Sequence, residues 1–220
     1  MMYQTRLIRG LRHPDYFTYE LKQTEDVGRV WRQTLLLILL SGFVFGLSAF
    51  FGLGSEYISA RLTDLRPAEL EMHKALFIIG QILRGLFYGA AIIYLSALWF
   101  WSMTDTDLNR FVVVQMMVLL ILLLEQLLFI PISFLLGVPA ESSPFSLGPI
   151  AQVLTGNTFL INFLASITIF KLWAIYIQYI YVRSLTEKPR AHVLGLVIGL
   201  NLMYWLFNAL FSIIQFEKII

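Results

Sequence analysis

Long apolar blocks separated by short polar stretches dominate the chain. Five blocks are long enough to cross a bilayer as helices: roughly 33–53, 75–101, 111–136, 158–182 and 191–214. Stretches of about eighteen or more residues with few charges satisfy this condition, because at ~1.5 Å per residue they span a hydrocarbon core. The pattern predicts an all-α fold, a polytopic integral membrane protein built as a bundle of five transmembrane helices. The simplest division is an N-terminal cytoplasmic or interfacial segment, 1–31, and one membrane domain, 32–220. About thirty polar and amphipathic residues precede the first block, so a cleavable signal peptide is not expected.

The polar intervals set the orientation. With the N-terminus inside, ten basic residues fall in cytoplasmic segments: Arg6, Arg9, Arg12, Lys22, Arg29, Arg32, Arg110, Arg183, Lys188 and Arg190. Four fall outside, Arg61, Arg66, Lys74 and Lys218, and the 137–157 interval has none. Excess positive charge marks the cytoplasmic side, which puts the N-terminus in and the C-terminus out. Trp99, Phe100 and Trp101, with Tyr179 and Tyr181, then cluster at the inner interface as an aromatic belt would. The stretch MYQTRLIRGLRHPDYF interleaves basic and apolar residues. It reads equally as a headgroup-layer segment and as an ordinary cytoplasmic tail. In the 54–74 interval, Asp64 can cap a short helix with Pro67 in its first turn.

Composition adds constraints. The chain is 58% hydrophobic, with mean hydropathy +0.75. Cysteine is absent, which excludes disulfides and thiolate metal sites. A net charge of +2 gives no electrostatic footprint for nucleic acid. No phosphate-binding glycine loop, HExxH or GxSxG occurs. The histidines are scattered, and Glu69 with His73 supplies at most two ligands. No metal, cofactor or catalytic site is therefore expected.

Two features inside the blocks carry candidate function. Gly-xxx-Gly recurs as Gly42/Gly46, Gly85/Gly89 and Gly195/Gly199. One-turn spacing puts each pair on one helix face, where a neighbouring backbone can approach. That neighbour is either internal or another subunit. The second feature is charge. Arg84, Glu125 and Lys171 each lie within a block, at a cost of about 2.5–3.5 kcal/mol apiece at mid-span. Such groups should face protein or water and pair. Arg84 and Glu125 fall at similar depth, about 15–16 Å from the external face, and Lys171 at about 20 Å. Gln81, Gln126 and Asn162 are amides that could join them. The trio serves either to hold helix register or as a polar site, and two bases against one acid suit an anionic group. Pro131 removes a backbone hydrogen bond and should kink or end the third span.

The stretch FKLWAIYIQYIYVRSLTEKPRAHVLGLVIGLNL resembles the Yip family of five-span membrane proteins. There an aromatic helix, a short basic hairpin and a small-residue helix follow one another. Phe170, Trp173, Arg183, Lys188, Ala191 and Gly195 stand at the matching places. The opening LRHPDYFTYELKQTEDVGRVWRQTLLLILLSG is similar to bacterial members. The longer N-terminal region and Asp-Leu-x-Gly-Pro motif of eukaryotic members do not occur, so the resemblance points to a bacterial plasma membrane. It implies a non-enzymatic partner protein, such as the extra membrane subunit that accompanies some ABC-type exporters. The partners expected are the bilayer and ABC exporter subunits. The alternative from the residues alone is a small transporter, or a lipid- or ion-handling protein, using the charge cluster.

Overall fold

A computed structural model describes residues 7–12, 14–23, 30–54 and 67–213. They form helices α1 (Leu7–Arg12), α2 (Pro14–Gln23), α3 (Val30–Phe50), α4 (Pro67–Ala90), α5 (Ser96–Met103), α6 (Leu108–Leu136), α7 (Gly148–Leu154), α8 (Thr158–Ala165), α9 (Ile169–Leu185) and α10 (Arg190–Ile213). A π-helical turn, Ala91–Leu95, joins α4 to α5. A 3₁₀ turn covers Ala140–Ser142. The all-helical class holds among the described residues, where an isolated two-residue bridge is the sole β pairing.

Among the described residues, four helical segments are long and apolar enough to cross a membrane: Val30–Phe50, Leu70–Met103, Leu108–Leu136 and Arg190–Ser212. The fourth block differs from the expected single span of 158–182. It is two helices, of 8 and 17 residues, parted at Ser166–Thr168. The run Ser-Ile-Thr-Ile has weak helix propensity, since its β-branched residues lose χ1 freedom in a helix. The expected short helix around Pro67 also differs. Pro67 opens α4 itself, at a first-turn position where its missing N–H costs nothing. The capping residue proposed for it, Asp64, lies outside the described residues.

α6 is the core element. The most apolar window of Leu108–Leu136 is 61% buried, against 22% for those of Leu70–Met103 and Arg190–Ser212. A helix apolar all round is buried among others, whereas one largely uncovered by protein faces lipid. α6 runs through Pro131 to Leu136. Its end comes at Gly137, whose φ of +63° is a left-handed conformation open to glycine at low cost. Gly137 N donates to Ser133 O at 2.8 Å, and Ser133 Oγ donates to Val138 O at 2.8 Å. Pro131 thus does not end the span.

The helices sort into two compact units. The first takes the described parts of Met1–Leu40, Phe87–Leu122 and Phe170–Met203. Its core holds Phe17, Leu21, Phe100, Phe111, Ile177 and Tyr181, all 0–1% exposed. Tyr181 Oη donates to Gly10 O at 3.0 Å, and the Phe17 ring meets Tyr181 edge-on at 6.1 Å. These contacts pin α1 and α2 against the helices of the unit, so α2 covers protein with Phe17 and Leu21 while Tyr16 and Tyr19 stay exposed. Phe100 and Tyr181, read from the sequence as part of an interfacial belt, are core anchors. Trp101 is exposed, as that belt requires. At one end Lys188 meets Asp105 at 3.4 Å, and Thr106 Oγ1 donates to Leu185 O at 3.0 Å.

The second unit takes Leu123–Ile169 and the described parts of Ser41–Leu86 and Tyr204–Ile220. Here α3 and α4 pack backbone to backbone. A Cβ added to Gly85 would lie 2.8 Å from Ser41 O and 2.9 Å from the Gly42 Cα. Ser41 Oγ also donates to Gly85 O at 2.7 Å.

Candidate functional site

The three charges expected inside the membrane occupy different surroundings. Arg84 is exposed on α4. Its Nη1 donates to Gln81 Oε1 at 3.5 Å, and its guanidinium lies 5.9 Å from the Phe45 ring centroid. Arginine over an aromatic face gains a cation–π attraction. Glu125 on α6 and Lys171 on α9 are half-buried, and neither lacks a partner. Arg84 and Glu125 belong to the second unit and Lys171 to the first. Of the amides singled out with them, Gln81 bonds Arg84. Gln126 Nε2 donates to Ser48 Oγ at 3.1 Å, and Asn162 Nδ2 to Thr158 O at 2.9 Å.

The glycine pairs also divide. Gly42, Gly46 and Gly85 sit where a Cβ would come within 2.7–2.8 Å of the neighbouring helix, at Leu86, Ile82 and Phe45 respectively. Gly89 is buried as well. Gly195 is exposed. A Cβ added there would find nothing within 4 Å, and one added at Gly199 would meet only Trp99, at 4.0 Å. Trp99 Nε1 donates to Leu196 O at 3.1 Å, which holds α5 against α10 close to this glycine face. Leu194, Ile198 and Leu202 around it are exposed.

Two polar arrangements were not singled out from the sequence. In the second unit the break between α8 and α9 is closed by the preceding loop. Ser146 and Thr168 form an antiparallel bridge, in which Leu147 N donates to Ile167 O at 3.1 Å and Ile169 N to Phe145 O at 3.0 Å. Asn208 Nδ2 donates to Ser166 Oγ at 2.8 Å, and Ser166 Oγ to Asn162 O at 2.9 Å. The Ile167 carbonyl and the Ile169 amide, left open by the break, are thereby paired within the protein. The loop is held at Gly148, where any Cβ would overlap the Glu141 carbonyl oxygen. α7 beside it carries Ile150, Val153 and Leu154 exposed, an apolar edge suited to an interface.

In the first unit three amides link α6, α9 and α10. Gln178 Nε2 donates to Gln115 Oε1 at 3.0 Å, and Asn201 Nδ2 donates to Gln178 Oε1 at 2.8 Å. Gln115 is 0% and Gln178 3% exposed. Such a chain ties three helices together at one register, because a buried amide that loses its partner stays unsatisfied in an apolar core. The available sequence signal was an amide within each of three apolar blocks.

No protein-family model, curated protein or solved structure matches this chain.

Proposed function

We propose that this chain is a non-enzymatic, multi-pass protein of a bacterial plasma membrane that associates with and supports another membrane assembly. In this reading it is a Yip-like accessory subunit of an ABC-type exporter. The observation that supports the reading is the open glycine face of α10. Gly42, Gly46 and Gly85 are covered by the facing helix of the α3–α4 pair, whereas Gly195 meets open space between exposed Leu194 and Ile198. Close backbone approach is the chief source of helix association in lipid, where apolar side chains gain nothing by leaving one apolar phase for another.

Four uninterrupted crossings would put both termini on one side. In the proposed topology α8 and α9 together complete a fifth, discontinuous crossing, with the N-terminus cytoplasmic and the C-terminus outside. A C-terminal alkaline phosphatase fusion should be active, and a C-terminal green fluorescent protein fusion dark. The reverse pair would remove the fifth crossing.

The test of partnership uses the absence of cysteine. A single cysteine at position 195 should cross-link to a transporter subunit in native membranes, identified by mass spectrometry. Gly195→Leu should abolish co-purification in mild detergent while leaving the protein's own level unchanged. Retention of the partner by Gly195→Leu, or cross-links to lipid alone, would end this reading.

The discontinuous α8–α9 element supports a second reading, a small transporter or a lipid- or ion-handling protein that uses Arg84, Glu125 and Lys171. Interrupted helices at membrane depth recur where transporters hold ions and small anions. Flux in proteoliposomes that disappears with Glu125→Gln would favour it over the accessory role.

A further inference from the structure

One face of α4 is apolar, uncovered and charged at a single point. Gly85 is closed against Ser41 and Gly42 of α3. By helical periodicity the opposite side of α4 carries Leu76, Ile79, Gly80, Leu83 and Arg84, and all five are exposed. Their spacing of i, i+3, i+4, i+7 and i+8 puts them on one stripe. A Cβ added at Gly80 would find nothing within 4 Å, so the backbone is open one turn before Arg84.

Arg84 stands near the middle of the segment Leu70–Met103, roughly 21 Å from one end and 28 Å from the other at ~1.5 Å per residue. No carboxylate among the described residues lies within ion-pair distance of it. Of its several N–H donors, one reaches Gln81 at 3.5 Å, and the Phe45 ring takes one side of the guanidinium. Phe45 belongs to the turn of α3 that meets Gly85, since its Cβ would lie 2.8 Å from a Cβ built there. The aromatic contact therefore keeps the charge level with its own turn of α4, not extended toward a headgroup. Charges inside a membrane pair or face water, and neither a glutamine nor a ring neutralises this one.

We propose that this stripe of α4 binds a transmembrane helix of another chain, one that carries a carboxylate at the depth of Arg84. The open backbone at Gly80 admits the partner helix closely, and Leu76, Ile79 and Leu83 flank the contact. The carboxylate accepts two guanidinium N–H bonds side by side, where little water is present to weaken the attraction. A second copy of this chain does not fit. Membrane subunits are related about the membrane normal, so the same stripe on both would set Arg84 against Arg84. Glu125, the acidic residue inside Leu108–Leu136, is half-buried and already engaged. The inference requires only that the chain spans a membrane, and it is independent of the α10 face and of any exporter.

The test uses a synthetic transmembrane helix of about twenty leucines and alanines, with one central glutamate and a fluorescent acceptor. The full chain carries the donor at Gly156→Cys, where a Cβ meets nothing within 4 Å. Both are reconstituted in phosphatidylcholine vesicles. Energy transfer to the glutamate helix should exceed transfer to the same helix with a central leucine at least several-fold. Arg84→Leu should abolish the excess, and Arg84→Glu should move the preference to a helix with a central lysine. Near-ultraviolet circular dichroism matching wild type checks that each variant is folded. Equal transfer to the glutamate and leucine helices in wild type would overturn the proposal, as would undiminished transfer with Arg84→Leu. Loss of the preference when phosphatidylglycerol replaces part of the phosphatidylcholine would overturn it too, by assigning Arg84 to lipid phosphate.

Discussion

Gly42 and Gly85 face each other across α3 and α4 so closely that a Cβ on Gly85 would lie 2.9 Å from the Gly42 Cα. The same methyl would meet Ser41 O and Phe45 Cβ at 2.8 Å. Two of these three neighbours are backbone, so the contact cannot be relieved by a rotamer change. Gly85→Ala should therefore force the helices apart, break the Ser41–Gly85 hydrogen bond and cost about 1–3 kcal/mol. Gly195→Ala, with nothing within 4 Å, should change stability by less than about 0.5 kcal/mol. Thermal unfolding in detergent, followed by near-ultraviolet circular dichroism, distinguishes the two. Equal midpoints would mean that α3 and α4 do not pack through this pair.

Gln178 holds the centre of the amide chain, bonding Gln115 on one side and Asn201 on the other. Gln178→Leu keeps its volume but strands an acceptor on Gln115 and removes one of two acceptors from Asn201. Stranding buried polar groups costs about 1–3 kcal/mol each. By contrast, Gln81→Leu loses a 3.5 Å bond to an exposed Arg84 and should be near neutral. A chemical-denaturation series should place Gln178→Leu clearly below both wild type and Gln81→Leu.

Tyr181→Phe removes a buried hydrogen bond to Gly10 O but keeps the ring contact with Phe17. The expected loss is about 0.5–1.5 kcal/mol, felt at the attachment of α1 and α2. Limited proteolysis near the N-terminus should accelerate several-fold while cleavage elsewhere stays constant. Unchanged N-terminal cleavage would show that this bond does not anchor the segment.

Gly148→Ala should disturb the bridge that closes the α8–α9 break, since the added methyl overlaps the Glu141 carbonyl. Gly156→Ala, in open space on the connection between α7 and α8, is the matched control. The first should lower the unfolding midpoint and raise amide hydrogen exchange at Leu147 and Ile169, the two donors of the bridge. The second should leave both as in wild type.

The hydropathy pattern determined the helical class and placed four of the five expected spans, because burial of a hydrophobic stretch in a bilayer depends on length and composition, which a sequence carries in full. It also determined which glycines share a helix face. Tertiary packing decided what a linear pattern cannot express. The fourth block is broken because a distant loop pairs with Ser166–Thr168 and satisfies the opened backbone. Gly42 and Gly85 are closed while Gly195 is open because a partner helix covers one face and not the other. Phe100 and Tyr181 turned from an expected interfacial belt into core, since both lie on faces that other helices cover. The charges drew attention because each is costly on its own, yet the amides Gln115, Gln178 and Asn201 form the buried chain of the first unit. A neutral amide hardly perturbs hydropathy, and its importance depends on which other amide the fold brings within about 3 Å.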